Sequence, residues 1–452
     1  MAGWWIPVGC QSVGVADTVS IERAANSEDR SPYPEFFPVR QSFQQHAIAD
    51  IPAAVCATVA QSPLAQIQSG QRVAIAVGSR GIANLKTIVA SVVQQVSDRG
   101  GRPVIVPAMG SHGGATADGQ AAVLASYGVT PEQMGCPVEA SMDTVLIGTT
   151  SDGVDVHFDR VASEADHVVV VNRIKPHTRL AGLYESGLIK MLMIGLGKHR
   201  GAYLYHQVFP NYDHRLELLA PEIVSMIMES VSIIAGIAIV EDAFENTSHI
   251  EAVASADFLT REPELLELAR SRMPRLPFDH ADLLIVDQIG KEISGCGMDT
   301  NVIGRKTNDR TAAPDEFPKI RQIYVRSLTE KTAGNGCGVG IADYGHRRMV
   351  NAINEEVTRI NCVTSAHVTA GAIPITFDSD RDVLDAVVSQ TQAERRSDLN
   401  WLWIRDTLQL SEIACSRSYW EAASQRSDLD LLGEPAPLRF DNSGDFASRL
   451  FS

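Results

Sequence analysis

Two histidines each follow directly on a short apolar run, His112 in Gly110-Ser111-His112-Gly113-Gly114 and His177 in Arg173-Ile174-Lys175-Pro176-His177-Thr178-Arg179. Imidazole titrates nearest neutral pH, so two such rings facing each other across a small molecule suit proton transfer on its opposite faces. The first motif alone fits a turn histidine that caps the next helix equally well. The second gathers Arg173, Lys175 and Arg179 as a candidate anion pocket, for which a solvated basic loop is the plainer reading. Lys190 lies inside the apolar run Leu188-Ile189-Lys190-Met191-Leu192-Met193-Ile194. An ammonium there is costly unless paired or chemically used, or unless its stem runs along the core and the charge reaches water. His199 and His206 are seven apart and fit one helix face, but neither forms the i, i+4 pair with an acidic neighbour typical of a zinc helix.

The elements that position these residues alternate. Gln71 to Val77 reads as a strand, ending in Gly78-Ser79-Arg80-Gly81, and Ile82 to Val96 has helical spacing of Leu85, Ile88, Val89, Val92 and Val93. The pattern repeats with Pro103 to Pro107, the loop of His112 and a helix over Asp118 to Tyr127. His167 to Val171 is a third buried strand, and a helical stretch Pro221 to Ile234 precedes Gly236 to Val240. Successive βα units imply a parallel sheet with helices on its faces, and ligands in such sheets sit beyond the carboxyl ends of the strands. Met273 to Pro277 reads as a linker, after which Asp282 to Val286 opens a second α/β domain. The expected division is a poorly ordered arm over 1–35, a first domain over 36–278 and a second over 279–452. Trp401, Trp403 and Trp420 are expected in the second core.

The 452 residues allow two or three domains, and no apolar run reaches the 18 residues that crossing a membrane requires. The formal charge of −16 repels nucleic acid and anionic lipid, so an anion must be held by a local basic pocket. Seven scattered cysteines without a CxxC indicate neither a disulfide framework nor a zinc ribbon, and point to a reducing cytoplasm. The N-terminus lacks the basic and apolar regions of a signal peptide. GxSxG, GxGxxG and the P-loop are all absent from the strand-end loops, which argues against a serine hydrolase, a Rossmann dinucleotide site and a P-loop nucleotide site.

Taken together, GSHGG, the strand leading into KPHTRLAG, the segment of Lys190 and His206 sixteen residues beyond it resemble the lactate racemase family, over about residues 70 to 252. These are racemases and epimerases of α-hydroxy acids that depend on a nickel-pincer nucleotide. The resemblance implies two α/β domains with the active site in the cleft between them. It implies that His112 and His177 are the acid and base, that Lys190 links to the cofactor, and that His206 ligates nickel. Arg80 then holds the substrate carboxylate, with Lys175 and, in the second domain, Lys291 or Arg305 as further substrate contacts. Ser111, Gly113 and Gly187 are expected beside the cofactor. The chain departs from the family's PHxxAGxSGGxK run: the paired glycines are reduced to Ser186-Gly187, Lys190 comes three residues late, and Val77 stands where an aspartate is usual.

The expected activity is therefore isomerisation of a hydroxy acid larger or more polar than lactate, such as a sugar acid. Its expected partners are that acid and the proteins that make the cofactor, with no nucleic acid and no membrane. Two alternatives stand beside it: a redox or lyase reaction on the same scaffold, and a cofactor-free protein that binds an anionic metabolite.

Overall fold

The computed structural model describes residues 32–78, 81–391 and 398–447. The expected arm lies outside the described residues up to residue 31, but Tyr33 is already buried, its hydroxyl donating to Asp385 at 2.7 Å. The chain then enters β1 (Phe36–Gln41), which joins the sheet of the C-terminal half rather than that of the N-terminal half. Its two phenylalanines explain this difference from the expected boundary. Phe36 meets Trp403 edge-on at 6.2 Å and Phe37 meets Trp420 edge-on at 4.9 Å, so both find their aromatic partners in the second core.

The first sheet contains β2 (Arg72–Val77) and β3 (Arg102–Pro107); a separate hairpin, β4 (Thr144–Thr149) with β5 (Asp155–Asp159), packs beside it. β6 (His167–Arg173), β7 (Ile233–Glu241) and β8 (Thr247–Ala254) complete the order β3-β2-β6-β7-β8. The first four strands are parallel and β8 runs antiparallel. Along β2, Ala74 and Ala76 face one core while Val73, Ile75 and Val77 face the other, which covers the sheet on both faces. The helix Leu85–Asp98 buries Leu85, Ile88, Val89, Val92, Val93 and Val96, the stripe its spacing predicts.

Residues 273–277 have no regular structure, and the second body begins with β9 (His280–Ile289). β10 (Lys319–Leu328), β11 (Tyr344–His346), β12 (Ile375–Phe377) and β13 (Trp401–Ile404) lie parallel to it. β14 (Glu412–Ser416) and β15 (Leu429–Leu431) are antiparallel additions, in the order β12-β11-β10-β9-β13-β14-β1-β15. The protein is thus α/β with largely parallel sheets. Trp401 and Trp403 are buried in the second body, and the Trp403 indole donates to Asp287 at 2.9 Å. Among the described residues no helix is long and apolar enough to cross a membrane.

Candidate active site

The carboxyl ends of β2, β3 and β6 converge on one segment, Gly187 to Lys198. Strand order puts β2 between β3 and β6, so the loops of His112 and His177 leave the sheet two strand spacings apart, about 10 Å. That gap suits a small molecule. The chain turns one way from β2 to β3 and the other way to β6, the crossover point at which open parallel sheets bind ligands.

Short contacts hold the loops in place. Gly110 N donates to Gly195 O at 3.1 Å, and the Asn172 amide at the end of β6 donates to Gly187 O at 2.9 Å. Between those glycines Leu188–Lys190 begins as an α-turn and widens into a π-turn at Met191–Gly195, with Leu196 N on Met191 O at 2.8 Å. Widened turns of this kind are frequent at functional positions. Lys190 sits on this segment, half-buried, while Leu188, Ile189, Met191 and Leu192 around it fill the core.

Glu262, from the helix Phe258–Arg272, supports the start of the segment. It is 1% exposed, and one of its oxygens accepts from Ile189 N at 2.9 Å. Burial pushes its carboxyl up from 4.5 to about 7, despite the backbone donors of Ile189 and Leu188. A Cβ on Gly187 would lie 2.4 Å from this carboxylate, so close packing explains that glycine. A raised acid binds its proton more tightly in the folded chain, so the stability present below its ordinary 4.5 is lost as pH rises through about 7. The loss expected is roughly 3 kcal/mol. Denaturant titrations at pH 5 and 8 should show it in the wild type and not in Glu262→Gln; equal pH dependence in both would reject the assignment.

His177 is fixed through its ring and its backbone. Its Nδ1 accepts from Arg179 N at 3.1 Å and Leu180 N at 3.0 Å. With both donors on Nδ1, the neutral ring carries its proton on Nε2. Its backbone N donates to the buried carboxylate of Glu185 at 2.6 Å, which also takes Arg270 at 2.6 Å and Lys306 of the second body at 2.5 Å. Further cross-body bonds run from Thr300 Oγ1 to Thr178 O at 2.7 Å and from the Asn301 amide to His177 O at 3.3 Å. The His177 loop therefore lies at the junction of the two bodies.

The loop of His112 rests on a buried polar group instead. Gln120 donates to Gly110 O at 2.8 Å and to His112 O at 3.4 Å, and its own carbonyl faces Lys198 Nζ at 3.2 Å. Lys198 is fully buried and also meets Pro107 O at 2.5 Å and Asp159 Oδ2 at 3.0 Å. Gly113 has φ +65° and its Cβ would lie 2.5 Å from the backbone of Gly119, so helix packing explains this glycine as well. Ser111 and His112 are half-buried.

The other expected residues fall differently. Arg80 lies outside the described residues, and His206 falls on the helix Lys198–Val208 with its side chain outside the described part. Lys175 is half-buried and pairs through its backbone with Ser186. Lys291 bonds Gly295 O at 2.9 Å and Asn361 at 3.0 Å, on the second body. Arg305 is a correction. It is 0% exposed and spends its guanidinium on Ile341 O and Asp343, each at 2.7 Å, so it ties strand ends together where no substrate reaches. The resemblance implied a substrate contact, but the fold turns that arginine inward.

Residues the sequence reading passed over include Glu185, Glu262, Lys198 with Asp159, and His367 with Asp309. No local pattern marks them, since Glu262 and Asp309 stand among other charged and polar residues and Lys198 precedes His199 and Arg200. Among the described residues His346, Asp380 and Asp445 form a group of metal-ligand types. Arg326 at 2.7 Å, the Tyr324 hydroxyl at 2.6 Å and Phe446 N at 2.8 Å already occupy Asp380, which makes it a structural ion pair. A cavity of about 290 Å³ is lined by Gln61, Glu251, Arg261 and neighbours, none of them a candidate.

The lactate racemase N-terminal domain matches residues 36–216, which include His112, His177, Lys190 and His206. Two solved structures are similar at 13% identity. The lactate racemase apoprotein from Thermoanaerobacterium thermosaccharolyticum covers 78% of this chain and 91% of its own, with a TM-score of 0.49. A protein from Thermotoga maritima covers 80% and 97%, with a TM-score of 0.47. No curated protein matches the chain. Over residues 36–216 the chain is similar to the lactate racemase N-terminal domain.

Proposed function

We propose that the protein is a racemase or epimerase of an α-hydroxy acid, using a nickel-pincer nucleotide. The observation that carries this reading is the emergence of the His112 and His177 loops from β3 and β6, on either side of β2, over the segment of Lys190. The residues fit the nucleotide in kind. Lys190 offers an amine, His206 an imidazole, and Gly81 and Gly114 have open space beside them in the loops after β2 and β3. Bound there, the nucleotide supplies a hydride acceptor and donor for the α-carbon.

The chain's own residues do the rest. His112 takes the hydroxyl proton of one enantiomer while His177 presents Nε2–H to the substrate oxygen. For the opposite enantiomer the roles exchange, which requires the His177 ring to leave its two backbone donors. Arg80 and Lys175 hold the carboxylate so that the oxidised acid stays in place. The six described cysteines are free thiols, in keeping with a reducing cytoplasm, where the cofactor-making proteins would be partners.

Protein produced together with those proteins should bind nickel and carry an added mass that Lys190→Ala removes, as read by metal analysis and intact-mass spectrometry. It should interconvert the enantiomers or epimers of a hydroxy acid. Neither nickel nor added mass, with no interconversion, overturns the proposal in favour of a cofactor-free binding protein.

A further inference from the structure

In the proposed reaction His177 has to do two things at once. Its ring leaves its own backbone donors for one enantiomer while its loop stays beside the substrate, so the loop must be held by its backbone and not by the ring. That backbone is gripped at three points. His177 N donates to Glu185 Oε2 at 2.6 Å, His177 O accepts from the Asn301 amide at 3.3 Å, and Thr178 O accepts from the Thr300 hydroxyl at 2.7 Å. Thr300 and Asn301 open a short helix of the second body, Thr300–Ile303, capped by Asp299. Asp299 also accepts from the Asn301 side chain at 2.9 Å, and its own backbone N donates to Thr407 at 2.8 Å, so the direction of that amide is set within the second body.

The grip of Glu185 depends on the second body too. Its side chain is fully buried, and its two oxygens are used differently. Oε1 meets Arg270 of the first body at 2.6 Å, while Oε2, the oxygen that accepts from His177 N, meets Lys306 of the second body at 2.5 Å. A buried carboxylate keeps its charge only where cations and donors offset the loss of water, and each partner also fixes the direction of the oxygen it binds. The Lys306 side chain is itself nearly buried, so the pair is sheltered from water and from salt. The His112 loop has no such dependence: its bonds from Gln120 and to Gly195 stay inside the first body.

We propose that Lys306 is a positioning residue for His177, acting through Glu185, so that the ring is set for proton transfer only where the two bodies meet. Its effect on turnover rests on the isomerase reading above. Losing the ammonium leaves Glu185 paired with Arg270, so the carboxylate stays neutralised and the fold survives. What goes is the partner of the one oxygen that holds His177 N. A misplacement of about 1 Å is enough to cost a factor of about 10² in rate.

The test reads the loop directly, by amide hydrogen exchange on the full chain without cofactor, in wild type, Lys306→Met and Lys306→Arg. Lys306→Met should speed exchange about tenfold or more across residues 177–180 and leave residues 110–114 as in the wild type, with Lys306→Arg in between. Thr300→Val removes the bond to Thr178 O without touching an ion pair. It should speed the same amides, and it carries the test if Lys306→Met does not fold. Unchanged exchange over 177–180, or an equal rise over 110–114, overturns the proposal. On the cofactor-loaded enzyme Lys306→Met should lower kcat about 10- to 100-fold with KM within about threefold, and Lys306→Arg should recover part of the loss. Faster exchange at 177–180 without turnover of any hydroxy acid by the loaded wild type keeps the positioning and fails the isomerase. Turnover with kcat of Lys306→Met within about twofold of the wild type does the reverse.

Discussion

Replacing His112 by alanine is expected to lower interconversion of the substrate's stereoisomers by about 10²–10⁴, the span typical for loss of a positioned acid or base. The fold should survive, because the loop is held by its backbone rather than by the ring. Gln120 bonds the carbonyls of Gly110 and His112, and Gly110 N bonds Gly195 O. Substrate binding should therefore change little, so the loss falls on kcat more than on KM. Single-turnover rates with unchanged far-ultraviolet dichroism and unchanged nickel content are the measurement. A fall of less than about tenfold would remove His112 from the chemistry and leave it as the turn histidine that its motif also allows. His177→Ala should show a comparable loss with one difference, since removing its ring also releases the backbone donors of Arg179 and Leu180. Part of its effect should then appear in KM.

The difference between these two histidines marks what the sequence could and could not disclose. Both loops were legible because each follows an apolar strand, and alternation of strands with helices placed them on one edge of a parallel sheet. The stripe of Leu85, Ile88, Val89, Val92, Val93 and Val96 set the neighbouring helix in the same way. What stayed hidden depends on contacts between distant segments. The carboxylate that fixes the His177 backbone belongs to Glu185, and its cations come from positions 270 and 306. Arg305 and Lys306 are neighbours, yet the first is sealed among carbonyls and the second bridges the bodies. No local pattern separates them. The exchange of β1 into the second sheet was equally invisible, because a six-residue strand carries no mark of the sheet it will join.

Lys198 makes the strongest case for such hidden contacts, and its replacement by methionine is expected to destabilise the protein by about 3–5 kcal/mol. In the run Gly195-Leu196-Gly197-Lys198-His199-Arg200 it reads as one of two surface cations, and Arg200 is indeed exposed. Lys198 instead sits at φ +54° and sends its ammonium inward to Pro107, Gln120 and Asp159. Burial lowers the pKa of the lysine and raises that of the aspartate, so each charge persists only through the other. Methionine fills the same volume but strands Asp159, and it frees Gln120 from the geometry in which it holds the His112 loop. Adding Asp159→Asn removes the orphaned charge while keeping an oxygen to accept from Ala162 N, now at 2.7 Å from Asp159. Denaturant titrations should therefore rank the wild type first, the double variant next and Lys198→Met last. The wild type and Lys198→Met agreeing within about 1 kcal/mol, or a double variant no more stable than the single, would mean that the buried charges are not coupled. If the ranking holds, the double variant should also recover part of the turnover lost by Lys198→Met, because the lysine reaches the chemistry only through Gln120 and the loop it steadies.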